Sequence, residues 1–265
     1  MRWRFVIRTV GVLTLLLGLT MLLPVLTGLY YRDGSLSAGL SAAGITMVAG
    51  ALMFLFCRGE TTDYISQREA MAIVTLGWSS AGLFAALPFY LGGEIPSFSD
   101  AFFESISGLT TTGASILTDI ERLSRGLHLW RCFIQWLGGM GIIVLGLAIL
   151  PLLGVGGMQL FKAEVPSPTP DKLKPRIRQT ASLLWKVYAL ISAAELAVLL
   201  LGGMTFFDAI CHTFTTMPTG GFSTKAASIA HYDSVFIDGA IVFFMMLAGI
   251  NFSLHYQLLR GKPLA

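Results

Sequence analysis

The chain has 265 residues, of which 54% are hydrophobic and only 12% are charged, and its net charge is +3. Because a soluble domain carries about 25% charged residues, this composition excludes an ordinary soluble protein and indicates an integral membrane protein. Three cysteines, Cys57, Cys132 and Cys211, stand singly without metal or redox spacing and are expected to pack as small apolar side chains. No disulfide framework, cofactor or nucleic-acid site is expected.

Six apolar segments each supply the roughly 20 residues that cross about 30 Å of hydrocarbon. The first segment extends to residue 31, and the other five cover residues 36–56, 70–91, 129–153, 181–201 and 235–259. The first follows a basic start but is longer than the apolar core of a signal peptide. It is therefore predicted to be a spanning helix, and Pro24 is a candidate for a kink in it.

Two segments between the spans are too short to cross a bilayer, and they repeat each other. Residues 100–115 align without a gap on residues 208–223, 108 positions later. Each is predicted to begin with an acidic N-cap, Asp100 or Asp208, to run for about two helical turns and to end in a Thr/Gly loop.

Charge placement favours short segments that return to the side from which they enter. On that assumption, one side of the membrane carries twelve basic residues and the other carries five, and the richer side holds both termini. The positive-inside rule then places both termini in the cytoplasm. The richer side carries Arg2, Arg4, Arg8, Arg58, Arg68, Lys162, Lys172, Lys174, Arg176, Arg178, Arg260 and Lys262, and the other carries Arg32, Arg122, Arg125, Lys225 and, near an interface, Arg131.

The Thr/Gly loops have the composition of an ion pathway. Irregular backbone at membrane depth is tolerated only when it is buried in protein or lines a water-filled cavity. For successive carbonyls to face one axis, the backbone must adopt conformations that glycine accepts readily, and Gly113 and Gly221 stand at equivalent positions. Carbonyl oxygens, with the hydroxyls of Thr111 and Thr219, suit a potassium-like ion, whereas a divalent ion would require carboxylates.

Other polar residues have more than one interpretation. The acidic residues expected outside concentrate cations at a pore mouth, or some of them, Glu94, Asp119 and Glu121, are simply solvated loop charges. The C-terminal ends of the short helices are predicted to face the loops with negative dipole ends. The acidic residues expected on the outer side are Glu94, Asp100, Glu104, Asp119 and Glu121.

Three further features lie within apolar segments. Glu195 in the fifth span is either a buried structural partner or part of the pathway. His212 aligns with Glu104 and is expected to pack or to form a hydrogen bond. Residues 138–141 (GGMG) look like a nucleotide loop, but they lie inside a span and are expected to allow close helix packing.

Together these features resemble the bacterial Trk/Ktr/HKT potassium transporters, above all the membrane subunit of the Trk system. The resemblance rests on the span–short helix–span repeat and on the segments DAFFES, TTTGA, WLGGMGI and GGFST, and it covers essentially the whole chain. It implies a selectivity filter of backbone carbonyls in which each repeat supplies one strand around a central glycine. The implied ion ligands are Thr111, Thr112, Gly113, Ala114, Thr219, Gly220, Gly221 and Phe222.

The expected fold is an all-α integral membrane protein with six spans and two re-entrant pore helices. It divides into two leading transmembrane helices (1–66), a first pore repeat (67–157), a cytoplasmic linker (158–177) and a second pore repeat (178–265). The family's pore has four such repeats, whereas this chain carries two. It is therefore expected to be the first half of a longer protein or, alternatively, to assemble from two copies.

The resemblance implies potassium uptake across the bacterial inner membrane, with Na⁺ as a poorer substrate and symport with H⁺ or Na⁺ left open. It also implies a homodimer in membrane lipid and a cytosolic nucleotide-binding regulatory subunit of the TrkA type, for which residues 162–178 are the candidate contact. Two alternatives remain: a regulatory half-protein without transport, and a membrane-embedded enzyme. An enzyme would need catalytic residues clustered at one depth, but the four histidines of this chain are scattered along the sequence: His128, His212, His231 and His255.

Overall fold

The structure, a computed structural model, describes residues 1–57, 66–149, 170–252 and 254–255, and within these ranges every regular element is a helix. Two short 3-10 turns, Ile120–Arg122 and Ser228–Tyr232, lie in the connections that follow the two short helices. The α-helices are α1 (Trp3–Thr20), α2 (Leu22–Tyr31), α3 (Ser35–Phe56), α4 (Gln67–Ala85), α5 (Leu87–Leu91), α6 (Phe98–Leu109), α7 (Arg125–Ile149), α8 (Pro170–Leu201), α9 (Phe206–Thr216) and α10 (Val235–Gly249).

Four described segments are long and apolar enough to cross a membrane: Trp3–Tyr31, Ser35–Phe56, Gln67–Leu91 and Ala181–Leu201. They correspond to the first, second, third and fifth predicted spans, which are thereby confirmed as apolar helices. Helix α7 covers the described part of the fourth span, and α10 is a shorter apolar helix within the sixth. The count of six spans with two re-entrant helices stays a prediction.

Some sequence predictions fall outside the described residues. Most of the predicted linker, including Lys162, lies in this part of the chain, whereas residues 170–177 form the first turns of α8. The other basic side chains outside the description are Arg58, Lys172, Lys174, Arg176, Arg178, Arg260 and Lys262.

The first apolar segment is interrupted near its middle. Helix α1 ends at Thr20, and α2 begins at Leu22 after Met21, whose N–H still bonds to the Leu17 carbonyl. Pro24 lacks an N–H, and its ring crowds the carbonyl four residues earlier, which is that of Thr20. The break thus lies where the proline predicts a kink.

Small residues bring the leading helices together. Helix α1 packs along α3 and α4. A Cβ at Gly11 would lie 2.7 Å from the Met53 Cβ, and one at Gly50 would lie 2.6 Å from the Leu15 backbone nitrogen. Neither position therefore has room for a side chain, so these glycines allow the two helices to approach closely.

The described chain exposes many large apolar side chains. They lie around the outside and include Phe56, Leu201 and Val235. A few charged side chains are buried, among them Glu104, Arg131 and Glu195, which are each at most 1% exposed. A surface without polar cover is stable in hydrocarbon, so the molecule is a multi-pass membrane protein.

The loop after α2 fastens the start of α7. The Asp33 carboxylate accepts hydrogen bonds from the Ser35 N–H at 3.0 Å and from the Gly126 N–H at 3.0 Å. Gly126 lies in the first turn of α7, where amides have no helical partner, so a distant carboxylate takes the role of a cap. Partial burial raises the pKa of Asp33, but hydrogen bonds from Ser35, Gly126 and Arg125 lower it more, so that the pKa lies below its usual value.

We expect Asp33→Asn to lower the stability of the protein by about 1 kcal/mol at pH 7, because a charge-assisted bond to the start of α7 is weakened. Since the folded-state pKa is lowered, this contribution is complete above the unfolded pKa of about 3.9 and is lost as the pH falls through the folded pKa. Thermal unfolding in detergent should therefore show a difference between the two proteins that shrinks below about pH 4. A difference that grows with acidity would contradict this role.

Candidate ion-binding loops

The two short helices, α6 and α9, begin in the same way. The Ser97 hydroxyl accepts from the Asp100 N–H at 3.4 Å, and the Thr205 hydroxyl accepts from the Asp208 N–H at 3.2 Å. The N-caps are thus Ser97 and Thr205, and the prediction that Asp100 and Asp208 are the caps is wrong. A hydroxyl followed three residues later by an acidic residue is the pattern of a capping box, which places the acidic residue in the first turn.

The two aligned aspartates differ in their surroundings. Asp208 is buried, and its carboxylate accepts from the Thr205 hydroxyl at 2.9 Å and from the Thr224 hydroxyl at 2.7 Å. Asp100 is exposed. Only Asp208 therefore ties the start of its helix to the far end of the loop that follows.

Each short helix leads into an irregular segment, loop 1 (residues 110–116) or loop 2 (residues 217–224), with the same unusual backbone. The φ angles are +56° at Thr111 and +77° at Gly113, and they are +57° at Thr219 and +82° at Gly221. A positive φ is ordinary for glycine but a genuine outlier for a β-branched residue such as threonine. The two loops therefore depart from an extended strand at equivalent positions.

Equivalent hydrogen bonds hold these conformations. The Thr112 N–H donates to the Ser107 carbonyl and the Gly220 N–H donates to the Thr215 carbonyl, both at 2.9 Å. Both bonds close the C-terminal end of a short helix onto its own loop. The two loops thus repeat each other in backbone conformation and in anchoring, as their alignment predicts.

The loops touch each other, and α7 packs against both. A Cβ at Gly113 would overlap the Gly220 carbonyl oxygen of the other loop. A Cβ at Gly138 of α7 would overlap the Leu109 carbonyl, and one at Gly139 would lie 2.5 Å from the Pro218 Cβ. Close packing is therefore the role of this glycine pair, as predicted.

A buried ion pair lies beside loop 1. Glu104 of α6 accepts from the Ser115 hydroxyl at 2.9 Å and from the Ile116 N–H at 3.0 Å, and it pairs with Arg131 Nε at 2.6 Å. One prediction is corrected here, because Glu104 is fully buried and is not a charge at an outer mouth. Arg131 is also buried, at 1% exposure, and its place near a membrane interface stays a prediction. Each charge is stable inside the molecule because the other neutralises it.

One polar face of α7 holds loop 2. His128 Nε2 lies 3.0 Å from the Ser223 carbonyl, to which the ring N–H donates, and Arg131 donates to the same oxygen at 3.4 Å. The Arg131 guanidinium also lies over the Phe222 ring, 3.5 Å from its centroid. One helical turn further on, Gln135 Oε1 accepts from the Phe222 N–H at 3.3 Å.

The structure brings only some of the predicted ion ligands of the two loops into contact with one another. Gly113 contacts Gly220, and the remaining predicted ligands follow directly along the two loops. The Ala114 carbonyl accepts a hydrogen bond from the Ser107 hydroxyl, so this oxygen is engaged by α6. The Thr219 hydroxyl donates to the Pro218 carbonyl at 2.7 Å.

The outer acidic residues have structural partners. Glu94 accepts from the Ser124 N–H at 2.9 Å, and Glu121 accepts from the Ala226 N–H at 3.3 Å. Asp119 forms an exposed ion pair with Arg122 at 2.9 Å. These contacts favour the interpretation of these three carboxylates as loop charges, and attraction of cations by them stays a prediction.

The two intramembrane polar residues left open by the sequence lie near α9. Glu195 is fully buried in α8 and approaches Thr216, the last residue of α9. His212 is 2% exposed and packs edge-on against the Tyr232 ring, with 5.6 Å between centroids. His212 therefore packs, which is one of its two interpretations, although it occupies the position that Glu104 holds in α6.

Sequence reasoning missed the polar face of α7. Its signal was present, because His128, Arg131 and Gln135 recur at spacings of three and four in an otherwise apolar span. An intramembrane charge implies a partner, and Glu104 in the preceding short helix is the nearest acidic candidate inside an apolar segment.

The model of the TrkH family, described as a cation transport protein, matches residues 41–262. The chain belongs to this family. The resemblance to the membrane subunit of the Trk system is thereby confirmed.

Several TrkH-family proteins are similar to the chain over its whole length. It is 45% identical to the Trk system potassium uptake protein TrkH of Salmonella typhimurium, over 100% of this chain and 55% of that protein. It is 35% identical to TrkG of Escherichia coli K12, over 98% of this chain and 54% of that protein. The chain thus spans about half the length of the curated relatives it matches.

The fold agrees with a solved member of the TrkH family. The crystal structure of the potassium transporter TrkH from Vibrio parahaemolyticus matches with a TM-score of 0.87 and 39% identity, over 98% of this chain and 53% of that one. These relatives are potassium transporters and not enzymes, which argues against the alternative of a membrane-embedded enzyme.

The aligned aspartates provide a test of the loop anchoring. We expect Asp208→Ala to destabilise the protein by about 2 kcal/mol, because two hydroxyl donors lose a charged acceptor. Asp100→Ala is the matched control and should cost less than about 0.5 kcal/mol, as is usual for an exposed side chain. Thermal unfolding in detergent, followed by tryptophan fluorescence, measures both. Equal losses would contradict the assignment of the anchor to Asp208.

Proposed function

We propose that the chain takes part in potassium uptake across the bacterial inner membrane and supplies two of the four strands of a selectivity filter. The observation that carries this proposal is the matched left-handed backbone at Thr111 and Gly113 and at Thr219 and Gly221. A non-glycine residue in this region costs about 1–3 kcal/mol and persists chiefly at functional sites. Two such residues at equivalent positions of two touching loops point to a shared role.

The proposed ion ligands are oxygens of the two loops. Carbonyl and hydroxyl oxygens replace the hydration shell of a monovalent cation without the tight binding that carboxylates give. The C-terminal ends of α6 and α9 lead into the loops, and the negative end of a helix dipole favours a cation. The ligands are proposed among Thr111, Thr112, Gly113, Ala114, Thr219, Gly220, Gly221 and Phe222, with the smallest contribution from the engaged Ala114 carbonyl.

Inward movement of K⁺ would be driven by the membrane potential, which is worth about 2.3 kcal/mol per charge for each 100 mV. A potential that is negative inside draws a cation inward whichever way the chain is oriented. Cytoplasmic termini are a separate part of the proposal, and the distribution of basic residues supports them. The regulatory subunit of the TrkA type, the homodimer and the contact at residues 162–178 are part of the same proposal, and they rest on the family membership of the chain.

Two loops do not surround an ion, so two further strands are required. They come from additional repeats in a longer chain, which is the alternative we favour, or from a second copy of this chain. Relatives about twice as long support the first alternative.

Rubidium uptake in cells without other potassium transporters separates these alternatives. We expect the 265-residue chain alone to support no uptake above background, and the same chain with the coding sequence that follows Ala265 to support it. Uptake by the short chain would show assembly from two copies, and the cross-linked protein would then have the size of a dimer. If neither form supports uptake while both reach the membrane, the transport function is wrong.

The central glycines provide a test of the filter. We expect Gly113→Ser to reduce the preference for K⁺ over Na⁺ at least about tenfold, a change of about 1.4 kcal/mol, because a side chain there would displace the Gly220 carbonyl. Gly221→Ser should have a smaller effect, since serine would be strained at this positive φ but a Cβ there has open space. The measurement is relative uptake of Rb⁺ and Na⁺ by the form that supports transport.

Gly93→Ser is the matched control for this series. Gly93 also has a positive φ, +71°, and open space for a Cβ, but it lies outside both loops. It should lower the amount of folded protein without changing the ion preference. An unchanged preference in Gly113→Ser, at comparable amounts in the membrane, would contradict the filter assignment.

A further inference from the structure

A continuous series of contacts joins loop 1 to loop 2 on the side where α7 packs. It runs from the Ser115 hydroxyl and the Ile116 N–H to Glu104, and from Glu104 to Arg131. Arg131 then continues it to the Ser223 carbonyl and to the face of the Phe222 ring. No solvent-exposed group takes part in the central ion pair, because both of its side chains are at most 1% exposed.

The contacts hold loop 2 just before and just after the peptide group that joins Phe222 to Ser223. Gln135 holds the N–H of Phe222, while His128 and Arg131 hold the carbonyl of Ser223. The three side chains come from a single helix, so their positions relative to one another are fixed by helical geometry. A shift of α7 would therefore move this part of loop 2 as a unit.

Stability alone does not account for a buried ion pair at this place. Removing two charges from water is costly, and well-packed apolar residues of the same volume often do as well or better. What an apolar pair does not supply is direction. The planar Arg131 guanidinium has donors at fixed angles, and it uses them on Glu104 and Ser223 while its face covers Phe222.

The second repeat lacks these groups at the corresponding positions. Glu104 aligns with His212 at the offset of 108 residues. The helix after loop 2, α10, begins at Val235, 110 residues after the start of α7 at Arg125, so that Asp238, Ile241 and Met245 stand where α7 has His128, Arg131 and Gln135. A device needed to fold each repeat would be present in both. The contacts instead serve the junction between loop 1 and loop 2.

We propose that Glu104, Arg131 and Gln135 form a clamp that sets the position of loop 2 relative to loop 1 and thereby determines the preference for K⁺ over Na⁺. This inference rests on the proposed function. The clamp residues act through the backbone of the loops and are positioning residues. Discrimination between two monovalent ions depends on the number and spacing of oxygens around them, so a loop displaced by a fraction of an ångström binds both ions less selectively.

The decisive variant is the double substitution Glu104→Gln with Arg131→Gln. Either single substitution leaves a buried charge without its partner and is expected to reduce folding strongly. The double variant removes both charges together and should reach the membrane. We expect its K⁺/Na⁺ preference, measured as relative Rb⁺ and Na⁺ uptake per molecule in the form that supports transport, to fall at least about fivefold.

Two conservative variants extend the test without creating an unpaired charge. Arg131→Lys retains a charge for Glu104 but loses the planar face over Phe222 and the second donor direction. Gln135→Leu removes the acceptor of the Phe222 N–H. We expect each to lower the preference about twofold to fivefold while the total uptake of Rb⁺ at saturation changes less.

The ion pair between Arg2 and Glu69 provides the matched control. Its distance is 2.7 Å, and it joins the N-terminus to the start of α4, away from both loops. The double substitution Arg2→Gln with Glu69→Gln should lower the thermal stability and leave the ion preference unchanged.

The outcomes are distinct. A lower preference in the clamp variants, with an unchanged preference in the control, supports the clamp. An unchanged preference in the clamp double variant and in Gln135→Leu, when the wild type takes up Rb⁺ selectively, overturns it and leaves the proposed transport function intact. If the wild-type protein itself shows no selective uptake, the proposed function fails and the clamp fails with it.

Discussion

Backbone polar groups that leave a helix and are buried away from water must find partners within the protein, and this constraint governs the structure around the two loops. In the described part of the chain, hydrogen bonds within the protein satisfy these backbone groups. Short helices return hydrogen bonds to their own loops, as from Gly220 to Thr215, and α7 supplies side chains for the groups that remain, as Gln135 does for Phe222. The strained conformations of Thr111 and Thr219 persist because these contacts over-determine them.

The two repeats meet that constraint with different chemistry. In the first, Glu104 binds loop 1 directly and is neutralised by Arg131 of α7. In the second, the aligned residue His212 packs against Tyr232, and Asp208 binds the end of loop 2 through Thr224. An acidic group thus holds the end of each loop, but it comes from the middle of one short helix and from the first turn of the other. The backbone is duplicated more faithfully than its supports.

The sequence predicts what depends on local pattern and fails where a distant partner decides. Length and hydropathy identify α3 and the span Ala181–Leu201 to within a residue, because an apolar helix in a membrane has few other constraints. Alignment of the repeats locates Gly113 and Gly221, since a positive φ selects glycine. The same reasoning misplaces Glu104 and misses its pairing with Arg131, because the burial of both side chains depends on a contact between two elements that hydropathy treats separately. Asp100 and Asp208 occupy equivalent positions in the aligned repeats, and tertiary contacts alone make Asp208 buried while Asp100 is exposed.

Helix α7 shows why the repeats in sequence are not independent units in space. A spanning helix with His128, Arg131 and Gln135 on one face is costly in lipid unless that face is covered. Its cover comes from the first repeat through Glu104 and from the second through Ser223 and Phe222. Neither repeat alone satisfies all three side chains, so the two loops and α7 are expected to become ordered together. The arrangement that removes the cost of these polar groups is therefore also the one that fixes the distance between the loops.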